Sequence, residues 1–237
     1  MVSPLATPRL YALVPCAGVG ARAGTGAPKQ YMLLAGQAVV AHTLQALQEV
    51  PRLTATLVVL SPDDDQFERH APAFEGARAW VARCGGASRA LSVLHGLVAL
   101  RERGVRDEDW VLVHDAARCL LRPAWVDRLI DACQQDDVGG LLALPLADTL
   151  KQASDGRVAK TLDRRAKWLA QTPQMFRMAV LQQALAAGTA GRTEITDESS
   201  AIEALGMAPL LVPGEAENIK LTWPADFALA ARLLHTR

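Results

Sequence analysis

Short aliphatic runs alternate with helical repeats along most of this chain. That alternation limits the fold to an α/β class with a mainly parallel sheet flanked by helices. "LYALVP" (10–15) predicts a first buried strand. "AVVAHTLQALQEV" (38–50) then sets Val40, Leu44 and Leu47 on one helical face. "TLVVLS" (56–61) and the weaker "ARAWVA" (77–82) read as further strands. In "SRALSVLHGLVALRER" (88–103) the spacing puts Leu91, Leu94 and Val98 on one face, with Ser88 placed to cap the helix. "DWVLVHDAA" (109–117) is a strand running into polar residues, and Pro123 opens another helix. A strand follows in "VGGLLALPLA" (138–147).

Between 148 and 171 the pattern breaks. The stretch is charged, lacks a sustained apolar face and carries Asp155-Gly156, a hairpin-turn pair. It predicts a projecting β-arm, and such an arm gains its packing most readily from a second subunit. Helices at 177–187 and 196–205, a strand in "APLLVP" (208–213) and a helix from Pro224 complete the pattern. The expectation is a single domain over 1–237 with 148–171 as a dimerisation arm.

The most unusual segment is "VPCAGVGARAGTGAPKQY" (14–31), with four glycines, one arginine and one lysine just after the first strand. Gly18, Gly20 and Ala23 satisfy G-x-G-x-x-G/A, but Gly24, Gly26 and Pro28 forbid the helix that a dinucleotide site needs there. No acid stands near Ala38 and Val39 to meet a ribose, which weakens the oxidoreductase reading. A Walker loop fails as well, because Lys29 lies between Pro28 and Gln30. What remains is an irregular anion nest at a strand's carboxyl end, with Arg22 and Lys29 positioned to neutralise a polyphosphate.

The chain has 237 residues, half of them hydrophobic, and 25 basic residues balance 25 acidic ones. That neutrality argues against a general nucleic-acid or membrane-surface binder. Cys16, Cys84, Cys119 and Cys133 are scattered, and the N-terminal segment has no leader pattern, so a cytoplasmic protein is expected. The five histidines show no ligand spacing; only His114, beside Asp115, draws interest, and a structural role is preferred for it.

Taken together, Pro15, Ala17, Gly18, Gly20, Arg22 and "PKQY" (28–31) resemble the 2-C-methyl-D-erythritol 4-phosphate cytidylyltransferases. The likeness continues in "GGASRALSVLHGL" (85–97), "VHDAAR" (113–118), "DT" (148–149), "DR" (163–164), "TPQMF" (172–176), "ITDE" (195–198) and "NIKLT" (218–222). The resemblance implies a Rossmann-like nucleotidyltransferase of the nucleotide-diphospho-sugar transferase type. Such an enzyme joins CMP from CTP to methylerythritol phosphate in non-mevalonate isoprenoid synthesis and releases pyrophosphate. It also implies magnesium or another divalent cation, with metal ligands unspecified, and a homodimer with interlocking arms.

By position in that family's motifs, Arg22 and Lys29 stabilise the transition state, while Arg164 and Lys220 place the sugar-alcohol phosphate. Pro15, Cys16, Ala17, Gly18, Gly20, Gly85, Gly86, Arg89 and Ser92 are the nucleotide-binding set. Asp115, Thr149, Thr172 and Thr196 join Arg164 and Lys220 on the acceptor side, Thr149 and Arg164 reaching the partner subunit's site. Several have ordinary alternatives: a helix serine bonding its own backbone at Ser92, a surface charge at Arg89, a helix start at Thr196. Cys16, Ala87 and Cys119 depart from the family's usual alanine, acid and proline. A ribitol-5-phosphate cytidylyltransferase and a non-catalytic nucleotide-binding regulator stay open as alternatives.

Overall fold

The computed structural model describes residues 7–18, 28–190 and 195–236. Its elements in chain order are β1 (Leu10–Pro15), β2 (Leu33–Leu34), β3 (Gln37–Ala38), α1 (Val39–Gln48), β4 (Ala55–Val59), α2 (Phe67–His70), β5 (Ala79–Ala82) and α3 (Arg89–Glu102). They continue with β6 (Trp110–Val113), α4 (Pro123–Cys133), β7 (Gly139–Pro145), β8 (Leu150–Ser154), β9 (Arg157–Leu162) and β10 (Trp168–Arg177). The last are α5 (Met178–Ala190), α6 (Glu198–Ala204), β11 (Leu210–Pro213) and α7 (Pro224–His235).

Seven strands form the central sheet in the order β11-β7-β10-β6-β1-β4-β5. All neighbours are parallel except β10, which runs antiparallel to both β6 and β7. β1 reads as an unbroken apolar run because both of its faces are covered. Leu10, Ala12 and Val14 enter the core beneath α1 and α4, while Tyr11 and Leu13 enter the one beneath α3, α5 and α6. Trp110 and Leu112 of β6 split from Val111 and Val113 in the same way. The mixed, mostly parallel sheet with helices on both sides agrees with the expected fold class.

The chain steps outward from β1 to β4 and β5, then returns to β6 on the other side of β1. The loops leaving β1 and β6 therefore diverge and open a crevice at their carboxyl ends, where ligands bind in such sheets.

Three local expectations change. The buried face of α3 is Ser92, Val93, Gly96, Leu97, Ala99 and Leu100, whereas Val98 is exposed. The reason is Gly96: a Cβ there would stand 2.6 Å from Val59 Cγ2 and 2.8 Å from Leu13 Cδ1, so the helix lies on the sheet along its glycine side. β10 is an addition, since residues 168–177 carry no clear alternation yet form an interior strand. The last residues assigned to the arm, from Trp168, consequently belong to the central sheet.

The hairpin itself is present. β8 and β9 pair antiparallel, with Asp155 at φ 49° and Gly156 at φ 73° in the turn. Positive φ at both central positions is what a tight hairpin of right-twisted strands requires, and asparagine, aspartate and glycine adopt it most easily. Every residue from 151 to 161 is exposed.

Candidate active site

β1 delivers Cys16, Ala17 and Gly18 to the crevice. The Cys16 amide donates to the Val59 carbonyl at 2.8 Å, extending the β1–β4 pairing past the strand's end. Cys16 is buried and burial pushes its thiol pKa up, so it is a small apolar residue here rather than a nucleophile. Gly20 and Arg22 lie outside the described residues. The chain re-enters at Pro28, and the buried Gln30 amide donates to the Cys16 carbonyl at 3.2 Å, closing the glycine loop at its base. Lys29 Nζ donates to the Leu221 carbonyl at 3.0 Å. Two predicted cations from opposite ends of the sequence, Lys29 and Lys220, thus belong to touching segments.

Gly85 faces the start of this loop, and Gly86 faces α3 at Leu91, each for a steric reason. A Cβ on Gly85 would lie 2.3 Å from Ala17 Cβ and 2.8 Å from the Leu60 carbonyl oxygen, the same oxygen that accepts from the Gly85 amide. The loops after β1 and β5 are that close only because residue 85 has no side chain. Ser88 caps α3 by accepting from the Leu91 amide at 3.2 Å, as expected. Ser92 Oγ accepts from the Gly86 amide at 3.0 Å and donates to the Ser88 carbonyl at 2.9 Å. Its hydroxyl shapes the glycine pair from below.

The centre of the site is Asp115, two residues past β6 and buried. Its Oδ1 accepts from Arg89 Nε at 2.8 Å and its Oδ2 from Lys220 Nζ at 2.7 Å. Arg118 Nε lies 3.8 Å from Oδ2 and makes no hydrogen bond. Arg89 also grips the buried Glu198, NH1 to Oε1 at 2.6 Å and NH2 to Oε2 at 3.0 Å. Burial alone would raise the Asp115 pKa; Arg89 and Lys220 more than offset it and hold the carboxyl far below the ordinary range. Burial likewise works against the Arg89 cation, and Glu198 and Asp115 overcome it. Two carboxylates against three cations leave the cluster with a net positive charge.

A second network fixes the backbone under Asp115. The Asp115 amide donates to Thr172 Oγ1 at 3.0 Å, and Thr172 Oγ1 lies 3.1 Å from His114 Nδ1. His114 Nε2 is 3.2 Å from the Arg118 carbonyl, which can only accept, so Nε2 bears the hydrogen and Nδ1 accepts from the threonine. Burial lowers the His114 pKa to about 4, keeping the ring neutral. The structural role expected for His114 is what this geometry provides. Arg118 is held by the Asn218 carbonyl at 2.6 Å and the Ala170 carbonyl at 3.3 Å.

Within one chain the remaining predicted residues stay apart from this cluster. Thr149 and Arg164 are exposed at the root of the arm, where the Arg164 guanidinium donates to the Ala147 carbonyl. Thr196 is exposed just ahead of α6, its amide and hydroxyl directed to Ser200 Oγ. The helix cap is Asp197, which accepts from the Ser200 amide at 2.9 Å. Two residues of the cluster went unselected in the sequence. Arg118 closes the quoted "VHDAAR" run, three positions after Asp115, and that spacing was the available signal. Glu198 had none, because an acid in a helix's first turn is ordinary.

Among the described residues, no three His, Cys, Asp or Glu side chains gather into a metal site. Both Asp115 oxygens are already ion-paired, so that carboxylate is not open to a cation as it stands. No helix among the described residues is long and apolar enough to cross a membrane.

A crevice at the carboxyl ends of a mostly parallel sheet, with Gly85 against Ala17 and with Arg89, Arg118 and Lys220 around Asp115, defines a nucleotidyltransferase class of site, built for phosphate esters. Residues 10–236 match the family 2-C-methyl-D-erythritol 4-phosphate cytidylyltransferase, and the chain belongs to that family of transferase enzymes. It is 51% identical over 232 residues to the protein of that name from Paraburkholderia phytofirmans, covering 96% of this chain and 97% of the relative. It is 61% identical over 231 residues to the bifunctional enzyme IspD/IspF of Albidiferax ferrireducens, covering 98% of this chain but 54% of that protein, so the chain spans about half of that relative. A crystal structure of 4-diphosphocytidyl-2C-methyl-D-erythritol synthase superposes with TM-score 0.86 at 40% identity, over 97% of this chain and all of the other.

Proposed function

We propose that this chain transfers CMP from CTP to 2-C-methyl-D-erythritol 4-phosphate, releasing pyrophosphate and forming 4-diphosphocytidyl-2-C-methyl-D-erythritol for isoprenoid synthesis. The observation that carries the reading is the cation ring around Asp115 at the mouth of β1 and β6, in a chain whose relatives bear that activity in their names. Those names do not favour the ribitol phosphate alternative or a non-catalytic regulator.

In this reading an acceptor phosphate oxygen attacks the α-phosphorus of CTP in line. The new P–O bond forms as the bond to pyrophosphate breaks. A phosphate monoester with a second pKa of about 6 is already a dianion at neutral pH, so no general base is needed. The site matches that chemistry: both oxygens of Asp115 are engaged by cations, and both His114 nitrogens are engaged within the protein. The barrier is the approach of two anions, and it falls through positioning and charge neutralisation.

Lys29 and Arg22 take the triphosphate; Lys220, Arg118 and Thr196 take the acceptor phosphate; Asp115 holds the acceptor-side cations in place. Pro15, Cys16, Ala17, Gly18, Gly20, Gly85 and Gly86 form the nucleotide's backbone cradle, which Ser92 and Arg89 brace. Magnesium or another divalent cation, when bound, would come with the nucleotide and would supply further charge neutralisation at its phosphates.

Thr149 and Arg164 complete the site from a partner subunit, in a homodimer of single-domain chains joined through the 148–171 arm. Exposed Val158 and Leu169 fit a surface that a second copy covers. Pyrophosphate release with CTP and methylerythritol phosphate, run beside ATP, GTP and UTP and with ribitol 5-phosphate as competing acceptor, tests the reading. Selective CTP turnover on the methylerythritol ester is expected; turnover on ribitol phosphate alone, or none at all, overturns it.

A further inference from the structure

Glu198 takes no part in the chemistry just described, yet it is wholly buried at the start of α6 and binds both terminal nitrogens of Arg89. The contacts run unbroken from Glu198 through Arg89 and Asp115 to Lys220, at 2.6, 2.8 and 2.7 Å. We propose that Glu198 is a positioning residue: it fixes the Arg89 fork so that only Nε reaches Asp115, which reserves Asp115 Oδ2 for Lys220 and so aims Lys220 at the acceptor phosphate. The last step rests on the acceptor assignment made above; the first two do not.

The argument turns on guanidinium geometry. Arginine offers five donors in a rigid fork that matches a carboxylate two bonds at a time. With NH1 and NH2 occupied by Glu198, Arg89 meets Asp115 through one nitrogen. Without Glu198 the fork is free to close on both Asp115 oxygens and displace the lysine, whose side chain is 37% exposed and has solvent as an alternative. Glu198 is not required to seat its helix. Gln174 holds the α6 N-terminus independently, donating to Asp197 Oδ2 at 2.9 Å and accepting from the Ser199 amide at 2.8 Å.

Charge and positioning predict opposite outcomes for Glu198→Gln. Removing a negative charge makes the cluster more positive, so Coulomb's law alone predicts tighter binding of a phosphate. Positioning predicts weaker binding, because Lys220 loses its anchor.

The test has a substrate-free arm and a kinetic arm. In the first, acetylation of Lys220 by acetic anhydride is mapped by mass spectrometry in wild type and Glu198→Gln without substrates. Faster labelling in the variant is expected; an unchanged rate overturns the proposal whatever the acceptor is. In the second, Glu198→Gln raises KM for methylerythritol phosphate about tenfold, a larger rise than in KM for CTP. It adds nothing further on a Lys220→Ala background, because the two act through one contact. Glu198→Asp keeps the charge but retracts the oxygens, so an intermediate KM is expected, and this variant carries the test if Glu198→Gln fails to fold. An unchanged or lowered acceptor KM, full additivity with Lys220→Ala, or wild-type behaviour of Glu198→Asp overturns the proposal. Absence of wild-type turnover with methylerythritol phosphate would instead refute the acceptor assignment and leave the labelling result standing.

Discussion

Lys220 Nζ and Asp115 Oδ2 lie 2.7 Å apart, joining the end of a central strand to a segment just before the last helix. The pair is asymmetric, since the carboxylate is buried and the ammonium partly exposed. Removing one partner of a buried pair leaves an uncompensated charge and costs about 3–5 kcal/mol. Asp115→Asn, which takes the counter-charge from Lys220 and Arg118 and leaves Arg89 to Glu198 alone, is expected near the lower end, about 3 kcal/mol in urea unfolding. Lys220→Ala leaves Asp115 paired with Arg89 and is expected to cost about 1 kcal/mol.

His114 makes stability depend on pH. Its pKa in the fold is lowered to about 4 from an ordinary 6.5, so below pH 6.5 the unfolded chain binds a proton that the native state refuses. The contribution is fully present above that value and is lost as pH falls towards 4, by up to about 3 kcal/mol. His114→Gln removes the titration while keeping a donor for the Arg118 carbonyl. Unfolding curves at several pH values between 4 and 7 should show a flatter profile for the variant.

Gly85→Ala places a methyl 2.3 Å from Ala17 Cβ and 2.8 Å from a backbone oxygen. The methyl of Ala17 can give way only if the glycine loop moves. A loss of about 1–3 kcal/mol is expected, as in other overpacked sites. The thermal midpoint should fall and KM for CTP should rise together, since one displacement causes both.

If Lys29 meets the triphosphate as proposed, Lys29→Ala removes a donor to developing phosphate charge, and turnover should fall by about 10²–10³. Arg22→Ala should do the same. Near-normal kcat in either variant removes that residue from the machinery.

Val158 is 65% exposed on β9, and an aspartate there costs an isolated subunit little. If the arm packs on a second copy, Val158→Asp shifts light-scattering mass from dimer towards monomer and lowers turnover with it. A monomeric wild type, or an unaffected dimer, rejects the arm as the interface.

Most strands were legible because a strand covered on both faces is apolar throughout, as "LYALVP" is. β10 was not, because residues 168–177 mix Gln, Thr and Pro with apolar residues and take their strand conformation from β6 and β7 on either side. The face of α3 was misjudged for a related reason: leucine spacing favoured one side, while the lack of a side chain at Gly96 brought the other onto the sheet.

The sequence by itself determined the alternation of elements, the glycine loop, the hairpin turn and the family's ordered motifs, all of which depend on neighbours along the chain. Tertiary structure alone decided that Arg89 faces two buried carboxylates, that Glu198 is one of them, and that Lys29 meets the segment bearing Lys220. The physical reason is that a charge's role depends on which opposite charges share its burial, and those partners come from elements far apart in sequence.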